Sequence, residues 1–484
     1  MIDESALEER LGRLEAAKSW SPRVVSRLEA LIRSAPDEAV FRINPIRFAE
    51  ERGIAETESI DLFLRATLAG LVEMDWLLYC PLCSDIVANF RSLRAVHNHF
   101  HCHLCHSDYE ATLDDYIAVS FTVAPVVRRI RYHDPESLAL DDYFFTYRAT
   151  LDGLTDGGAP LMELMRSGTR GIARLSPNEV SRFEFKAEPG TLFGTVLDSD
   201  GAFAFAVSGA ERLEAHTISI AVRQGACEPN GGSLAPGPVV MEVRNETDRA
   251  AIVAVLQVPP GGEDHGMLTF RPFLSGKRLL TTQTFRDNFR SEVIRAAEGI
   301  AVRDVTLLFT DLKGSTALYE RIGDLNAYVQ VQRHFERLLD VTVRRNGAVN
   351  KTIGDAVMAA FPTAADAVTA ALDMRNAAEE LNRGRPQRDF VLKIGIHCGA
   401  AIAVTLNDRL DYFGQTVNIA SRVQNVAGGD EICLTEEVRQ APGVENVLAP
   451  YAIHSAAARL KGIEQMTPVY IVGDRQPSGI AQIA

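Results

Sequence analysis

The sequence has no long apolar run, and this absence argues against a protein with membrane-spanning helices. A membrane-spanning helix needs about 18 consecutive apolar residues, and no such stretch occurs in the 484 residues. Residues 1–10 are acidic and have no apolar core, so a secretory signal peptide is not predicted. We therefore expect a cytoplasmic protein.

Basic residues are fewer than acidic residues. The chain has 50 Lys and Arg against 64 Asp and Glu, which gives a formal net charge of −14. This excess of negative charge disfavours nucleic acid or an anionic membrane as the main partner, because both are polyanions. The hydrophobic fraction of 46% is ordinary for a folded protein. The length predicts about two to four domains.

Cysteine is scarce, and its positions indicate a metal site rather than disulfides. Four of the seven cysteines form two Cys-x-x-Cys pairs, Cys80 with Cys83 and Cys102 with Cys105. This spacing is typical of a zinc ribbon, because four thiolates complete a tetrahedral, structural Zn²⁺ site. Free thiols or a thiol redox pair are the alternative interpretations. Five nearby histidines could replace a cysteine ligand or orient one: His97, His99, His101, His103 and His106.

Residues 1–134 are predicted to be a helical region that contains this zinc ribbon at 80–105. Asn44 followed by proline starts a helix that ends at Gly53, and a longer helix begins near Thr57. Two helices joined by a glycine turn resemble a helix-turn-helix. Acidic residues around them argue against DNA contact, so a structural or protein-interaction role is favoured.

The pattern then changes to short apolar runs between turn residues. It predicts a β-rich regulatory domain over 135–275, an antiparallel, β-sandwich-like structure or a small barrel, whose ligand the sequence does not identify. Residues 276–300 are predicted to form a connecting helix, because Phe285, Phe289 and Val293 give a narrow apolar stripe. Such a stripe fits a helix seam across a dimer, or packing on the neighbouring domain. Residues 475–484 are predicted to be a disordered tail.

Three motifs in the last third of the chain carry the chemistry. An apolar strand ends at Asp311 and is followed at once by a helix start. A second carboxylate, Asp355, follows a glycine at the tip of a predicted hairpin. Two such carboxylates are usual ligands for divalent ions on a nucleoside triphosphate. Asn418 and Arg422 share one helix face, and Asp411 is predicted to lie in the loop that enters this helix.

These motifs resemble the catalytic domain of the class III nucleotidyl cyclases, which convert ATP or GTP into cyclic nucleotides. The resemblance covers about 170 residues and implies a ferredoxin-like β-α-β-β-α-β fold over 301–474. It implies that Asp311 and Asp355 hold two Mg²⁺ or Mn²⁺ ions per active site. It also implies that Leu312 lends a backbone carbonyl to one of them.

The resemblance assigns roles to the remaining positions as well. Lys351 and Asp411 match the pair that reads the adenine edge, which in guanylyl members is typically glutamate and cysteine. Asn418 matches the residue that orients the ribose, and Arg422 the one that stabilises the transition state. Lys461 resembles a lysine that contacts phosphate.

The sequence therefore predicts an adenylate cyclase in signal transduction, which converts ATP to 3′,5′-cyclic AMP and pyrophosphate by two-metal-ion catalysis. Sites of this family form between two catalytic domains, and one chain here carries both halves. A head-to-tail homodimer is thus expected, with an unidentified regulatory ligand or protein at the N-terminal half. The alternatives are a guanylate cyclase and a non-catalytic, nucleotide-sensing zinc-ribbon adaptor. The predicted fold class throughout is α+β.

Overall fold

The computed structural model of the chain describes residues 2–97, 99–197, 199–261, 266–294, 299–406, 409–462 and 465–475. Among these residues, no helix has both the length and the apolar character needed to cross a membrane. The predicted tail lies outside the described residues from 476 onwards. Arg475, its first residue, is still part of the last strand.

The chain divides into two compact units. The first unit holds residues 1–91, 99–111 and 116–274, and the second holds residues 92–98, 112–115 and 275–484. The predicted boundary at residue 134 therefore does not separate two units. Two short segments of the N-terminal region belong instead with the C-terminal unit.

The first unit opens with helices. Their bounds are α1 (Glu4–Ala16), α2 (Val24–Ser34), α3 (Pro45–Arg52) and α4 (Glu56–Ala69). Helix α3 begins where the Asn44 side chain accepts from the N–H of Ile46, and it ends at Gly53, whose φ is 57°. The predicted pair of helices joined by a glycine turn is confirmed.

Two small sheets carry the cysteine pairs. Strands β1 (Val72–Tyr79), β2 (Ile86–Phe90) and β5 (Ile117–Val123) form one sheet, and β3 (His99–Cys102) pairs with β4 (Ser107–Glu110). Cys80 and Cys83 lie between β1 and β2, whereas Cys102 is the last residue of β3 and Cys105 lies in the turn before β4. The residue after each pair has a positive φ, 61° at Ser84 and 54° at His106. The two cysteine turns therefore share a backbone feature.

Two larger sheets share one apolar core in the rest of this unit. Short elements lead into them: α5 (Leu140–Asp142), β6 (Gly153–Leu154) and α6 (Leu161–Gly168), with β16 (Thr269–Phe270) pairing β6. One sheet has the order β13-β10-β9-β15-β7 and the other β12-β11-β14-β8. Their strands are β7 (Thr169–Leu175), β8 (Val180–Ala187), β9 (Gly190–Val196), β10 (Ala202–Val207), β11 (His216–Arg223), β12 (Ala226–Glu228), β13 (Gly231–Leu234), β14 (Gly237–Asn245) and β15 (Ala251–Val258).

Side chains from both sheets form this core. Val253 of β15 and Met241 of β14 lie in the same buried cluster. Buried and more exposed residues alternate along β14, as expected for a strand with one face on a core. Strand β10 pairs in parallel with β13, and β11 in parallel with β14. The expectation of a purely antiparallel arrangement is therefore wrong at these two pairs.

The predicted connecting helix over 276–300 is not continuous. Helices α7 (Gly276–Leu280) and α8 (Gln283–Asn288) are separated by Thr281 and Thr282, and the described residues 289–294 are not helical. The hydroxyls of Thr281 and Thr282 donate to backbone carbonyls of α7, a bond that competes with helix continuation. Residues 295–298 of the predicted helix lie outside the described residues.

The second unit is built on one mixed sheet in the order β18-β19-β17-β20-β22-β24-β23, with β21 paired to β20. Its elements are β17 (Ile300–Leu312), α9 (Ser315–Ile322), α10 (Asp324–Arg344), β18 (Ala348–Ile353), β19 (Ala356–Phe361), α11 (Ala364–Asn382), β20 (Leu392–Leu406), β21 (Arg409–Phe413), α12 (Gln415–Val426), β22 (Glu431–Thr435), α13 (Glu436–Gln440), α14 (Val444–Leu448), β23 (Tyr451–Arg459) and β24 (Met466–Arg475). The first strand, β17, lies between β19 and β20, as the predicted ferredoxin-like pattern requires.

Helices cover this sheet and fix its strands. Leu308 of β17, Leu338 of α10 and Val368 of α11 belong to one buried cluster. Val423 of α12 packs in another, together with Cys433 of β22. The strands of this sheet therefore have little freedom to shift register, since a shift by one residue would move buried side chains to the opposite face.

A short N-terminal segment, residues 112–115, is part of this unit. The N–H of Leu113 donates to Ala301 O at 3.0 Å, and the N–H of Lys277 donates to Leu113 O at 2.7 Å. Asp114 forms an ion pair with Lys277 at 2.8 Å and accepts from the N–H of Arg303. The segment thus joins the first turn of α7 to the start of β17.

A buried histidine makes the stability of this unit depend on pH. His334 of α10 is fully buried, its ring stacks on Phe390, and neither ring nitrogen has a hydrogen-bond partner among the described residues. Burial lowers the pKa of His334 from 6.5 to about 4, although the charge of Asp355 acts in the opposite direction. Between these pH values the unfolded chain binds a proton that the folded chain does not.

We therefore expect the free energy of unfolding to fall as the pH decreases from about 6.5 to about 4, by at most about 3 kcal/mol from this residue. His334→Phe removes the titrating group and should flatten this part of the pH profile. Chemical denaturation at several pH values measures the effect. The matched control is His454→Phe, at an exposed position of the same unit. An identical pH slope in wild type and His334→Phe would contradict the assignment.

Candidate active site and cysteine cluster

Two carboxylates meet where β17 ends. Asp311 is the next-to-last residue of β17, and Asp355 lies in the turn between β18 and β19. The antiparallel pairing of β17 with β19 brings that turn towards Asp311, because Thr310 lies opposite Val357. Burial raises the pKa of Asp311, and the nearby charge of Asp355 raises it further. The two predicted metal aspartates are therefore neighbours in the fold.

The surroundings of this pair fit a divalent cation. The Oδ2 atom of Asp355 is buried and has no hydrogen-bond partner among the described residues. A buried carboxylate without a partner is costly, and a hard cation with oxygen ligands would compensate for it. Leu312 follows Asp311 directly in the chain, and its backbone N–H acts to lower the pKa of the Asp311 carboxyl. The metal-binding role of the Leu312 carbonyl stays a prediction.

The predicted base-reading pair is formed within one chain. Lys351 of β18 places Nζ 2.5 Å from Asp411 Oδ2, and Asp411 Oδ1 accepts from the N–H of Tyr412 at 2.9 Å. Asp411 is buried, whereas Lys351 is partly exposed. The prediction that Asp411 lies in a loop is wrong. Asp411 lies opposite Val404 in the β20–β21 pair, a pairing that local sequence does not reveal.

Helix α8 holds the backbone beside this pair. The Arg286 guanidinium donates to the carbonyl of Leu410, the residue before Asp411. The Gln283 side chain accepts from the N–H of Val349, two residues before Lys351, at 2.8 Å. Burial lowers the pKa of Arg286. Local sequence motifs indicate neither side chain, because the partners of both lie more than sixty residues further along the chain.

Helix α12 carries Asn418 and Arg422, as predicted. It lies directly on β20, since a Cβ on Gly395 would come within 2.1 Å of the backbone nitrogen of Gln424. Only glycine permits this approach. Asn418 is exposed near the start of the helix, and Arg422 is partly buried one turn later.

Further cationic side chains lie near the functional positions. A Cβ on Gly462 would lie 3.5 Å from a guanidinium nitrogen of Arg422, so the exposed Lys461 belongs to a turn beside that arginine. Lys393 of β20 lies opposite Asp311 in the sheet. Its positive charge acts to lower the pKa of the Asp311 carboxyl and offsets part of the upward shift. Local sequence does not indicate that Lys393 lies near Asp311, because only the strand register reveals its position.

The four cysteines predicted as zinc ligands are also brought together. The sulfurs of Cys80 and Cys105 are 3.5 Å apart, as are those of Cys83 and Cys102. All four sulfurs lie within 4.8 Å of one another. Around a tetrahedral Zn²⁺ with bonds of about 2.3 Å, sulfurs would be about 3.8 Å apart. The donor set and its spacing therefore fit zinc.

Comparison with known proteins places both parts of the chain. A family model described as the adenylate and guanylate cyclase catalytic domain matches residues 300–467. The second unit thus contains a class III nucleotidyl cyclase catalytic domain. A further model, described as a family of unknown function (DUF5939), matches residues 6–287, more than half of the chain. The chain therefore belongs to the DUF5939 family.

Curated relatives match part of the chain. Adenylate cyclase 2 of Rhizobium meliloti (strain 1021) is 30% identical over 131 residues, which are 25% of this chain and 36% of the relative. The adenylate cyclase of Anabaena cylindrica is 26% identical over 191 residues, 36% of this chain and 37% of the relative. The chain thus spans less than two fifths of either relative's length.

Solved cyclase structures also align with it. The adenylyl cyclase CyaB from P. aeruginosa aligns at 21% identity, with a TM-score of 0.33, over 37% of this chain and 97% of that structure. The guanylyl cyclase Cya2 aligns at 23% identity, also with a TM-score of 0.33, over 37% of this chain and 97% of that structure.

Proposed function

We propose that this protein is an adenylate cyclase, which converts ATP to 3′,5′-cyclic AMP and pyrophosphate. The observation that carries the proposal is the Lys351–Asp411 pair in the same unit as the adjacent carboxylates Asp311 and Asp355. The names of the curated relatives, both adenylate cyclases, support it. The matched regions cover only part of each relative, so the residues of the site are the main support for this activity.

The carboxylates Asp311 and Asp355 would hold Mg²⁺ or Mn²⁺, with Leu312 as a backbone ligand. Bound there, such ions would lower the pKa of the ribose 3′-hydroxyl and neutralise charge on the triphosphate. Arg422 would add positive charge where negative charge develops on phosphate, and Lys461 beside it would contact phosphate as well. Asn418, exposed on α12, would orient the ribose by hydrogen bonding.

The base preference follows from hydrogen-bond polarity. Adenine presents an acceptor at N1 and a donor at its exocyclic amine, and Lys351 and Asp411 offer a donor and an acceptor. Guanine presents the opposite pattern, a donor at N1 and an acceptor at O6. A site built for one pattern rejects the other strongly, because buried polar groups are left unpaired. This polarity favours ATP over GTP, the alternative substrate.

Replacement of Lys351 and Asp411 tests whether they determine the preference for ATP over GTP. The purified wild-type protein should form cyclic AMP from ATP and little cyclic GMP from GTP. Lys351→Glu combined with Asp411→Cys reverses the donor and acceptor pattern, and should lower the ratio of ATP to GTP turnover by at least about tenfold. Product analysis with each nucleotide measures it. Equal turnover of GTP by wild type would refute the base assignment, and no turnover of either nucleotide would favour a non-catalytic adaptor.

A homodimer is the proposed working form, because apolar side chains are exposed near the site. Ile402 and Phe413 lie opposite each other in the β20–β21 pair and are 42% and 64% exposed. Ile353, next to the Asp355 turn, is 53% exposed. Exposed apolar groups beside a functional site are typical of an interface. A second copy would cover them and complete each active site.

Mixing two inactive variants tests the shared site. Asp311→Ala and Arg422→Ala should each be inactive alone, because each removes one half of every site. If chains exchange, heterodimers contain one intact site, and a mixture in equal amounts should recover roughly a quarter of wild-type activity. Cyclic AMP formation after mixing measures the recovery. The control mixes each variant with itself, and absence of recovery despite proven exchange of chains would contradict a site shared between chains.

We also propose that the N-terminal half regulates the cyclase through the segment containing α7 and α8. This segment contacts residues 112–115 at one end, through Lys277, and the base-reading pair at the other, through Gln283 and Arg286. A change in the segment would therefore alter the position of Lys351 and Asp411. The cysteine cluster would bind Zn²⁺ and stabilise the N-terminal unit, and an unidentified ligand or protein would supply the signal.

Arg286 is the most direct point at which to test this coupling. Arg286→Ala leaves the Leu410 carbonyl without its charged donor, and should raise the KM for ATP about tenfold with a smaller change in kcat. Arg286→Lys retains one charged donor and should restore part of the loss. Steady-state kinetics with ATP separate the two constants. A fall in kcat alone, unrescued by lysine, would indicate a general structural defect instead.

A further inference from the structure

A second cluster of metal-ligating side chains lies in the first unit, distinct from the four cysteines. His101 Nε2 and His103 Nδ1 lie 2.7 and 2.8 Å from the same oxygen, Asp200 Oδ1. His106 Nδ1 lies 3.8 Å from that oxygen. Three imidazoles from the β3–β4 hairpin thus converge on one carboxylate that lies 99 residues after His101 in sequence.

The other nitrogen of His101 is also engaged. His101 Nδ1 lies 2.8 Å from Asp108 Oδ1, and the two residues are directly opposite in the β3–β4 pair. Histidines that bind metals usually donate the second ring N–H to a carboxylate, which fixes the tautomer and directs the free nitrogen at the ion. A neutral imidazole has only one N–H and cannot donate to both Asp108 and Asp200. A protonated imidazole donates to both carboxylates, and a metal ion held by His101 Nε2 and Asp200 would take the place of the second proton.

The ligand types indicate which cation. Imidazole nitrogen with one carboxylate suits Zn²⁺, Co²⁺ or Ni²⁺ better than Mg²⁺ or Ca²⁺, which prefer oxygen ligands throughout. The ligand atoms of His101, His103 and Asp200 lie within 4.8 Å of one another. Their side chains are 32%, 41% and 52% exposed, so an ion can enter from solvent. A cavity of about 210 Å³ also opens beside His106 and Asp200.

We propose that His101, His103 and Asp200, with His106 as a further ligand, form a second, exchangeable site for a divalent transition metal. A bound ion links the cysteine-bearing hairpin to the turn that precedes β10. Metal binding at this site then affects the N-terminal unit independently of metal binding at the buried cysteines. The proposal does not depend on the cyclase activity.

Cobalt titration of the full-length protein tests this site, in excess Mg²⁺ to occupy the catalytic carboxylates. The wild type should bind two Co²⁺ tightly. One bound to the cysteines gives strong thiolate charge-transfer absorption, and the other, with nitrogen and oxygen ligands, gives only weak ligand-field bands. His103→Ala and Asp200→Asn should each lose the second ion and keep the charge-transfer absorption. Asp108→Asn should lower the affinity for the second ion about 10–100-fold, because His101 loses the carboxylate that orients it.

His99→Ala is the matched control, because His99 lies on the same strand but outside the converging group. This variant should bind both ions. If wild type and Asp200→Asn bind the same number of cobalt ions, the cluster is an ion-pair network only and the proposal is wrong. Loss of the second ion in His99→Ala as well would also overturn it. The measured quantity is the difference in bound Co²⁺ per chain between wild type and each variant. The test therefore does not require that the cysteines bind cobalt.

Discussion

The register of strand β17 is the constraint on which the geometry of the candidate active site depends. On one side β17 pairs with β19, which brings the turn holding Asp355 next to Asp311. On the other side it pairs with β20, which places Lys393 opposite Asp311 and supplies the strand on which α12 packs. A slip of one residue would turn Asp311 to the other face of the sheet. The buried clusters on both faces oppose such a slip, so the core of this unit also sets the geometry of its chemistry.

Sequence predicted the parts of this site that local patterns encode. The strand that ends at Asp311, the hairpin that holds Asp355 and the helix that carries Asn418 and Arg422 each have turn and cap signals within a few residues. Local sequence indicates a loop at Asp411, because the strand that contains it is defined only by its pairing with β20. The role of Arg286 depends on a partner 124 residues away, which no local pattern can reveal.

The segment containing α7 and α8 shows a second limit of prediction from periodicity. Phe285 and Phe289 do stack, at 5.3 Å between ring centroids, as the apolar stripe suggested. The helix nevertheless stops at Thr281 and Thr282, because their hydroxyls bond to the preceding turn. The break separates two sets of contacts, since α7 contacts residues 112–115 and α8 contacts Val349 of β18 and Leu410 of β21. A continuous helix would impose one rigid orientation on both ends, whereas two short helices can transmit a change through the contacts that each makes.

The β3–β4 hairpin carries members of both proposed metal sites of the N-terminal unit. Two strands of four residues cannot hold a hairpin together in water without further support. Side chains alternate along a strand, so Cys102 is buried while His101, its neighbour, points to the half-exposed side. The hairpin therefore offers thiolates on one face and imidazoles on the other, and the two ligand sets need not compete for one ion. Support of the fold by a buried thiolate site and exchange at an exposed imidazole site are thus compatible in a single small structure.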